Sequence, residues 1–149
     1  MTQETENNTS NATNLQVRVL YVDTDKMGVV HHAAYLRWFE AGRARYMRLR
    51  GAKYAAVEEH GIQLPVVEAH LTYHKPARYD DVLNIEVWVG DLGRLQVKFD
   101  YKISMGEDIL VVGYTRHASI NLDGRLTRLP TDVREALAAQ ERETGESMV

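Results

Sequence analysis

Apolar and polar residues alternate along residues 15–21 (LQVRVLY), which is the period of a β-strand with one buried face. A loop, DTDKMGVV, follows, and the period then changes to steps of three and four residues from His31 or His32 to Arg50. This spacing places the apolar residues in one stripe along an α-helix, which Gly51 is suited to end. The stripe consists of Tyr35, Trp38, Phe39, Gly42, Tyr46 and Leu49. Because no other segment carries as much aromatic bulk, we expect this helix to form the centre of the core.

The second half of the chain is typical of strands. After a short helix at residues 54–59, four segments are rich in β-branched residues and alternate in part: residues 65–73, 82–90, 95–105 and 109–122. Turn-forming residues follow each of these segments, at residues 80–81, 91–93, 105–108 and 123–124, and three closely spaced hairpin breaks predict an antiparallel meander. A final helix follows Pro130, with Thr131 as its N-cap.

These elements predict an α+β fold in which one long helix packs on a sheet of about five strands. A single helix covers one face of such a sheet and leaves the other face and the edges open, so we expect self-association. We place one domain at residues 15–140, between a disordered N-terminal tail at residues 1–14 and a frayed C-terminal tail at residues 141–149.

Composition narrows the range of functions. The 149 residues are 44% hydrophobic and 26% charged, which is typical of one globular domain. With 18 basic and 21 acidic residues the net charge is -3, so no basic field favours nucleic acid or an anionic membrane. The absence of cysteine excludes disulfides, thiolate metal sites and a cysteine nucleophile. No apolar run suits a signal peptide or a membrane span, so we expect a cytoplasmic protein.

Two carboxylates, Asp23 and Asp25, lie in the loop just ahead of the long helix, and Gly28 allows that loop to turn sharply. A helix start presents unpaired N–H groups and a positive dipole end, which suits a carbonyl oxygen that becomes negative during acyl transfer. A nearby carboxylate can then act as general base or nucleophile. The spacing alone favours a simpler hypothesis, in which both aspartates only cap the helix or close the turn.

Other charged and polar groups suggest structural roles. His70 and His74 are four residues apart in a predicted strand, but they lack the compact spacing of metal ligands, so we expect no metal. No serine lies in a Gly-x-Ser-x-Gly sequence, so a serine triad has no support. Glu40 and Arg43 stand three residues apart on the long helix, and we expect them to form a structural pair within or between subunits.

The segment that begins at Tyr21 resembles a known family. It contains Tyr-x-Asp-Thr-Asp-x-x-Gly-Val-Val-x-His-x-x-Tyr-x-x-x-Phe-Glu-x-x-Arg, ending at Arg43. This pattern is similar to that of the acyl-CoA thioesterases of the 4-hydroxybenzoyl-CoA thioesterase family, and most of all to their YbgC-like branch. A second block at residues 74–83, HKPARYDDVL, resembles the same family's central strand connection.

The resemblance implies a hotdog fold, in which an antiparallel sheet wraps a long central helix, and an active site between the subunits of a homodimer or homotetramer. It implies that Asp25 is the catalytic carboxylate. Backbone N–H groups in the His32 region would bind the thioester carbonyl, with Gly28 and Val29 shaping the loop. The His32 side chain either contacts substrate or water or is an ordinary residue of the helix start. We expect Asp23 to hold the loop by accepting backbone N–H bonds.

The function implied by the resemblance is hydrolysis of an acyl-CoA to a free acid and CoA. Asp25 would activate water or attack the carbonyl directly, and no cofactor is implied. Lys75 and Arg78 are candidates for contacts to the CoA phosphates. Two alternatives stay open: a hotdog dehydratase or hydratase that pairs His32 with Asp25, and an acyl-CoA-binding protein without turnover.

Overall fold

The computed structural model describes residues 11–52 and 54–141. Its strands are β1 (Thr13–Arg18), β2 (Ile62–Gln63), β3 (Val66–Tyr73), β4 (Val82–Leu92), β5 (Gln96–Met105), β6 (Asp108–Ala118) and β7 (Ile120–Asn121). Its helices are α1 (Ala34–Arg48), α2 (Tyr54–Glu59) and α3 (Thr131–Ala138), and a short 3-10 turn at Tyr21–Asp23 follows β1. The predictions of disorder for residues 1–10 and of fraying for residues 142–149 lie outside the described residues.

Five strands form one antiparallel sheet in the order β1-β4-β5-β6-β3. Two hairpins of the predicted meander, β4-β5 and β5-β6, are present. The strand β3 pairs with β6 and not with the next strand β4, so both edge strands come from earlier in the chain. The strands β2 and β7 form a separate antiparallel pair. The predicted α+β class is confirmed, and so is the hotdog arrangement of a long helix against a five-stranded antiparallel sheet.

The apolar stripe of α1 packs against the sheet, as its spacing predicts. Its members are all buried: Tyr35, Trp38, Phe39, Gly42 and Tyr46, with Leu49 just beyond the helix. Phe39 stacks on Tyr101 of β5, with ring centroids 4.0 Å apart and planes 3° apart. A Cβ on Gly42 would lie 3.1 Å from Ile85 Cγ2, so the missing side chain lets the helix approach β4 closely. Burial of one such aromatic ring contributes about 2 kcal/mol, so this stripe determines where α1 lies.

Two helix starts differ from the prediction. The helix α1 begins at Ala34, so His31 and His32 precede it, and the His31 carbonyl accepts the Ala34 N–H at 2.9 Å. The N-cap of α3 is Pro130, with φ -55° and ψ 144°, so the assignment of that role to Thr131 is wrong. A cap residue needs an extended ψ and no N–H bond, which proline supplies as readily as threonine.

Two strand ends also differ. The strand β1 begins at Thr13, inside the predicted tail, and ends earlier than predicted. Val19 has left the sheet, because its N–H donates to the Asp81 carbonyl at 2.8 Å and its carbonyl accepts the Asp80 N–H at 2.9 Å. The predicted strand at residues 109–122 stops at Ala118, after which β7 turns away to pair with β2.

Arg50, just beyond α1, is fully buried, which no pattern in the sequence predicts. Its guanidinium lies 3.4 Å from the Tyr46 ring centroid. It donates hydrogen bonds to the carbonyls of Asn11 at 2.7 Å and Ala139 at 2.8 Å. These bonds compensate the burial of a charge, and they attach residues from both ends of the described chain to the C-terminal end of α1.

The edge strand β3 is the least covered element of the sheet. All of its residues are exposed except Leu71, which is half-buried. One side of β3 pairs with β6, and no strand of the described chain pairs with the other side. An open edge with exposed apolar residues, here Val66 and Val67, is a surface that proteins normally cover.

Candidate active site

The loop that carries Asp25 is a tight turn closed by its own backbone. The Asp25 N–H donates to the Val29 carbonyl at 2.9 Å, and the Gly28 N–H donates to the Asp25 carbonyl at 3.0 Å. Gly28 has a φ of +80°, which favours glycine. Asp25 Oδ1 accepts the Met27 N–H at 2.8 Å. The other oxygen, Oδ2, accepts no hydrogen bond from the described residues, so it is free to interact with a ligand or a water.

The second sequence block packs directly against this loop. The Val30 N–H donates to the Ala77 carbonyl at 2.8 Å, and Val29 forms an antiparallel bridge with Arg78. The Arg78 guanidinium reaches the glycine, since a Cβ on Gly28 would lie 3.9 Å from its Nη1. Three of the predicted site residues therefore lie together, and their contacts to substrate stay predictions.

The two histidines ahead of α1 form the turn that starts the helix. The His31 N–H donates to the Asp23 carbonyl at 2.7 Å, and the Ala33 N–H donates to His31 Nδ1 at 3.1 Å. The exposed rings of His31 and His32 stack 4.2 Å apart. The His32 carbonyl accepts the Tyr73 hydroxyl at 2.9 Å. Within the described part of the chain the His32 N–H meets no acceptor, which leaves an unpaired donor just before α1.

Asp23 holds the loop, as predicted. Its side chain is 1% exposed, and its Oδ2 accepts the Leu20 N–H at 2.8 Å. Its Oδ1 forms an ion pair with Arg37 in the first turn of α1. Through these bonds and its carbonyl, Asp23 joins the 3-10 turn, the Asp25 loop and the helix start. The ion pair was not predicted, because its partners are 14 residues apart and meet only in the folded chain.

A pocket of about 270 Å³ opens beside the His32 turn. It is lined by Val30, His32, Tyr35, Tyr73, His74, Lys75 and Pro76. Lys75 forms an ion pair with Asp108 at 2.7 Å, with both side chains more than half exposed. Burial raises the pKa of Tyr35, against a smaller effect of a hydrogen bond from the Ala77 backbone, so the hydroxyl stays neutral at pH 7. The pocket therefore offers an uncharged aromatic wall beside His32, with a cation at its rim.

The predicted pairing of Glu40 with Arg43 within one subunit is wrong. In the described chain Arg43 instead donates to the Tyr101 hydroxyl at 3.0 Å, and Glu40 is exposed. Arg43 lies beside the apolar stripe and faces the sheet, where the buried Tyr101 hydroxyl accepts its hydrogen bond. A pairing of Glu40 with another subunit stays a prediction.

The Tyr101 hydroxyl begins a buried chain of hydrogen bonds. It lies 2.7 Å from Thr115 Oγ1, which lies 2.9 Å from His117 Nε2. His117 Nδ1 lies 2.9 Å from the Leu64 carbonyl, which only accepts, so Nδ1 carries the proton. Burial, with a smaller effect of Arg43, lowers the pKa of His117 to about 4. The ring is therefore neutral at pH 7. The Tyr101 hydroxyl donates to Thr115, and the Thr115 hydroxyl donates to His117 Nε2.

A larger pocket of about 610 Å³ lies between α3 and the turn that joins β4 to β5. Its lining includes the three arginines Arg94, Arg128 and Arg134. The pocket lies at the end of the sheet opposite to the Asp25 loop, because β4 begins beside that loop and ends at Leu92. In the sequence, Arg94 and Arg128 are separate cations near turns and Arg134 is a residue of the final helix, since their meeting depends on the packing of α3.

Two further findings concern metal binding and membrane-spanning helices. The described residues contain no group of three histidine, aspartate or glutamate side chains placed to bind a metal ion. His70 stacks on Tyr114, and His74 lies just beyond the end of β3. None of the helices in residues 11–52 and 54–141 is long and apolar enough to cross a membrane.

The fold and the motif agree with comparisons to known proteins. Residues 19–137 match the model of the thioesterase-like superfamily. The chain belongs to this superfamily. The acyl-CoA thioesterase YbgC of Haemophilus influenzae is 31% identical over 113 residues, which are 75% of this chain and 83% of that protein.

Solved structures of thioesterases superpose on the chain. A DHNA-CoA thioesterase from Staphylococcus aureus has a TM-score of 0.80 at 30% identity, covering 85% of this chain and 89% of that one. A mutant 4-hydroxybenzoyl-CoA thioesterase in complex with 4-hydroxybenzoyl-CoA has a TM-score of 0.76 at 25% identity, covering 85% and 99%. The thioesterase family and enzyme class predicted from the motif are therefore confirmed. The roles of Asp25 and His32 stay predictions.

Proposed function

We propose that this thioesterase hydrolyses an acyl-CoA to the free carboxylic acid and CoA, with Asp25 as the reacting carboxylate. The observation that carries the assignment is that two unpaired groups lie in one short segment. An aspartate with an unpaired carboxylate oxygen precedes the unpaired N–H of His32, and Asp23 joins the two segments. The relatives support the substrate class, because they are named as thioesterases of acyl-CoA, DHNA-CoA and 4-hydroxybenzoyl-CoA.

In the mechanism, the thioester carbonyl accepts a hydrogen bond from the His32 N–H near the positive end of the α1 dipole. This donor stabilises the negative charge that develops on the oxygen. Asp25 then takes a proton from an attacking water, or attacks the carbonyl carbon itself to give a mixed anhydride that water hydrolyses. In either route the C–S bond breaks, its electron pair leaves on the CoA sulfur, and one water is consumed. A thiolate leaves readily, so no side-chain acid is required.

The phosphates of CoA require cations. Arg78, beside Gly28, and Lys75, at the pocket rim, stay candidates for these contacts. Lys75 is already paired with Asp108, so a phosphate would have to share it. The pocket with Arg94, Arg128 and Arg134 holds three cations, whereas the pocket beside His32 holds one lysine. The arginine pocket is also large enough for a nucleotide group.

The exposed edge of β3 supports a homodimer. A homotetramer would consist of two such dimers. Two copies of an edge strand pair antiparallel about a two-fold axis, so the Val66 end of one β3 lies beside the Tyr73 end of the other. The arginine pocket lies at the Val66 end, and Tyr73 contacts the His32 turn at the opposite end. The dimer would thus place the arginines of one subunit at the end of the joined sheet that carries the other subunit's Asp25. A cytoplasmic location stays a prediction.

The test is a thiol-release assay with a panel of acyl-CoAs on the wild type, Asp25→Asn and Asp25→Ala. We expect kcat to fall by about a hundredfold or more in both variants, and Asp123→Asn, in an exposed turn, to behave like the wild type. Wild-type turnover in both Asp25 variants would contradict the assignment. Binding of acyl-CoA without thiol release would favour the binding protein, and consumption of an enoyl-CoA without thiol release would favour the hydratase.

A further inference from the structure

Asp23 has three separate partners around the candidate site. Two of them contact its buried carboxylate and one contacts its backbone carbonyl. Its side chain is 1% exposed, whereas the Arg37 side chain that pairs with it is 57% exposed. Oδ2 accepts the Leu20 N–H, and the backbone carbonyl accepts the His31 N–H. A carboxylate placed so deeply is costly unless charged and N–H donors compensate it.

These contacts enclose the Asp25 loop at both of its ends. Leu20 lies where the chain leaves β1, and His31 lies where it enters α1, so Asp23 connects the two ends directly. Asp25 lies inside the enclosed segment, and the His32 N–H lies immediately after it. Neither Asp25 nor His32 is a hydrogen-bond partner of Asp23.

Arg37 adds the rigid element. It is part of α1, whose position is determined by the buried stripe, while the loop itself is closed by short-range turns. The ion pair is therefore the side-chain link between the Asp23 carboxylate and the body of the helix.

We propose that Asp23 and Arg37 form a positioning pair, which sets the place of the Asp25 carboxylate relative to the His32 N–H. The inference rests on the proposed function, since it needs Asp25 and His32 to be the reacting groups. Neither member of the pair touches substrate. A reacting group displaced by about 1 Å loses about a hundredfold in rate, so the pair acts on kcat more than on KM.

The experiment compares Arg37→Gln and Arg37→Lys with Arg18→Gln in the thiol-release assay. Arg18 is the matched control, because its side chain is 58% exposed and pairs with Asp80 at 3.1 Å outside the site. We expect Arg37→Gln to lower kcat by about ten- to a hundredfold with KM within about twofold, Arg37→Lys to recover part of the loss, and Arg18→Gln to match the wild type. Asp23→Asn should reproduce Arg37→Gln if it folds, and the arginine variants carry the test if it does not.

Three results separate the possible explanations. Unchanged kcat in Arg37→Gln, with Asp25→Asn inactive, would overturn the positioning pair and leave the proposed function intact. A fall of kcat in Arg37→Gln that follows a fall of Tm below the assay temperature, with no recovery in Arg37→Lys, would assign the pair to folding and overturn the proposal. Wild-type turnover in Asp25→Asn would remove the proposed function, and the positioning pair with it.

Discussion

The hydroxyl of Tyr73, on the last residue of β3, donates a hydrogen bond of 2.9 Å to the carbonyl of His32. The bond joins the end of the exposed edge strand to the turn that starts α1. It also makes the wall of the 270 Å³ pocket part of the support for the His32 backbone. One hydrogen bond therefore connects the pocket wall to the residue that carries the proposed oxyanion donor.

Replacement of Tyr73 by phenylalanine tests this link. The Tyr73→Phe variant keeps the ring and its edge contact with Tyr35 and loses only the hydroxyl. We expect kcat/KM for acyl-CoA to fall about fivefold, the equivalent of about 1 kcal/mol for one hydrogen bond. Steady-state kinetics check the value, with Tyr79→Phe, which is 59% exposed, as control. Equal losses in both variants would contradict the link.

The buried His117 makes stability depend on pH. Its pKa is about 4 in the folded chain and 6.5 in an exposed histidine, so the unfolded chain binds the extra proton between these values. The free energy of unfolding therefore rises with pH from about 4 to about 6.5, by up to about 3 kcal/mol, and this gain is lost as the pH falls through that window.

Urea unfolding at several pH values checks this prediction on the wild type and His117→Gln. The variant should be less stable at pH 7 and should depend less on pH. Burial raises the pKa of Asp100, which acts in the opposite direction, but both proteins carry Asp100 and the difference between them removes its effect. Identical pH slopes would show that His117 does not titrate as described.

A charge on the open edge of β3 should disrupt the proposed dimer. Val67 is 61% exposed on that edge, and Val67→Lys would bury an ammonium group against the Tyr73 end of the partner's β3 in the proposed dimer. We expect the dissociation constant of the dimer to rise at least about tenfold and turnover to fall at dilute concentration. Analytical ultracentrifugation and dilution kinetics measure the two effects. Leu122→Lys, at a site that is 76% exposed in a turn, is the control and should stay dimeric.

The arginine pocket should determine the affinity for CoA and not the chemical step. The double variant Arg94→Gln/Arg128→Gln should raise KM for acyl-CoA about tenfold or more, because each lost phosphate contact weakens binding, whereas kcat depends on Asp25 in the proposed mechanism. The same variant should hydrolyse an acyl-N-acetylcysteamine, which lacks the nucleotide, as the wild type does. Arg125→Gln, outside the pocket, is the control. A loss with both substrates would contradict a role in phosphate binding.

Local periodicity predicted the elements whose formation depends on neighbours in sequence. The stripe of α1 and the hairpins of β4, β5 and β6 are of this kind. The loop chemistry of Asp23 and Gly28 was also predictable, because a buried acceptor and a positive φ are local requirements. The resemblance assigned Gly28, Val29 and Arg78 to substrate binding, and the structure brings these three residues together.

The side-chain partners that the sequence did not reveal are distant along the chain. Arg43 faces Tyr101 across 58 residues, and Arg50 faces Ala139 across 89, so helical spacing alone suggested the nearer and wrong partner for Arg43 and none for Arg50. The end of β1 was misplaced because Val19 bonds to residues 80 and 81, which interrupts a pattern that still alternates. Tertiary packing, and not spacing along the chain, determines which group a charged side chain contacts.

The buried Arg50 has a consequence for how the molecule can be engineered. It bonds to both Asn11 and Ala139, and the Asn11 side chain itself donates to the Ala139 carbonyl at 2.8 Å. Residues 128 positions apart are thus adjacent in space. A short linker between Asn11 and Ala139 would join residues 11–139 into a ring that could be reopened at the exposed turn beside Gly106. The resulting circular permutant would have a different order of elements and the same Asp25 loop.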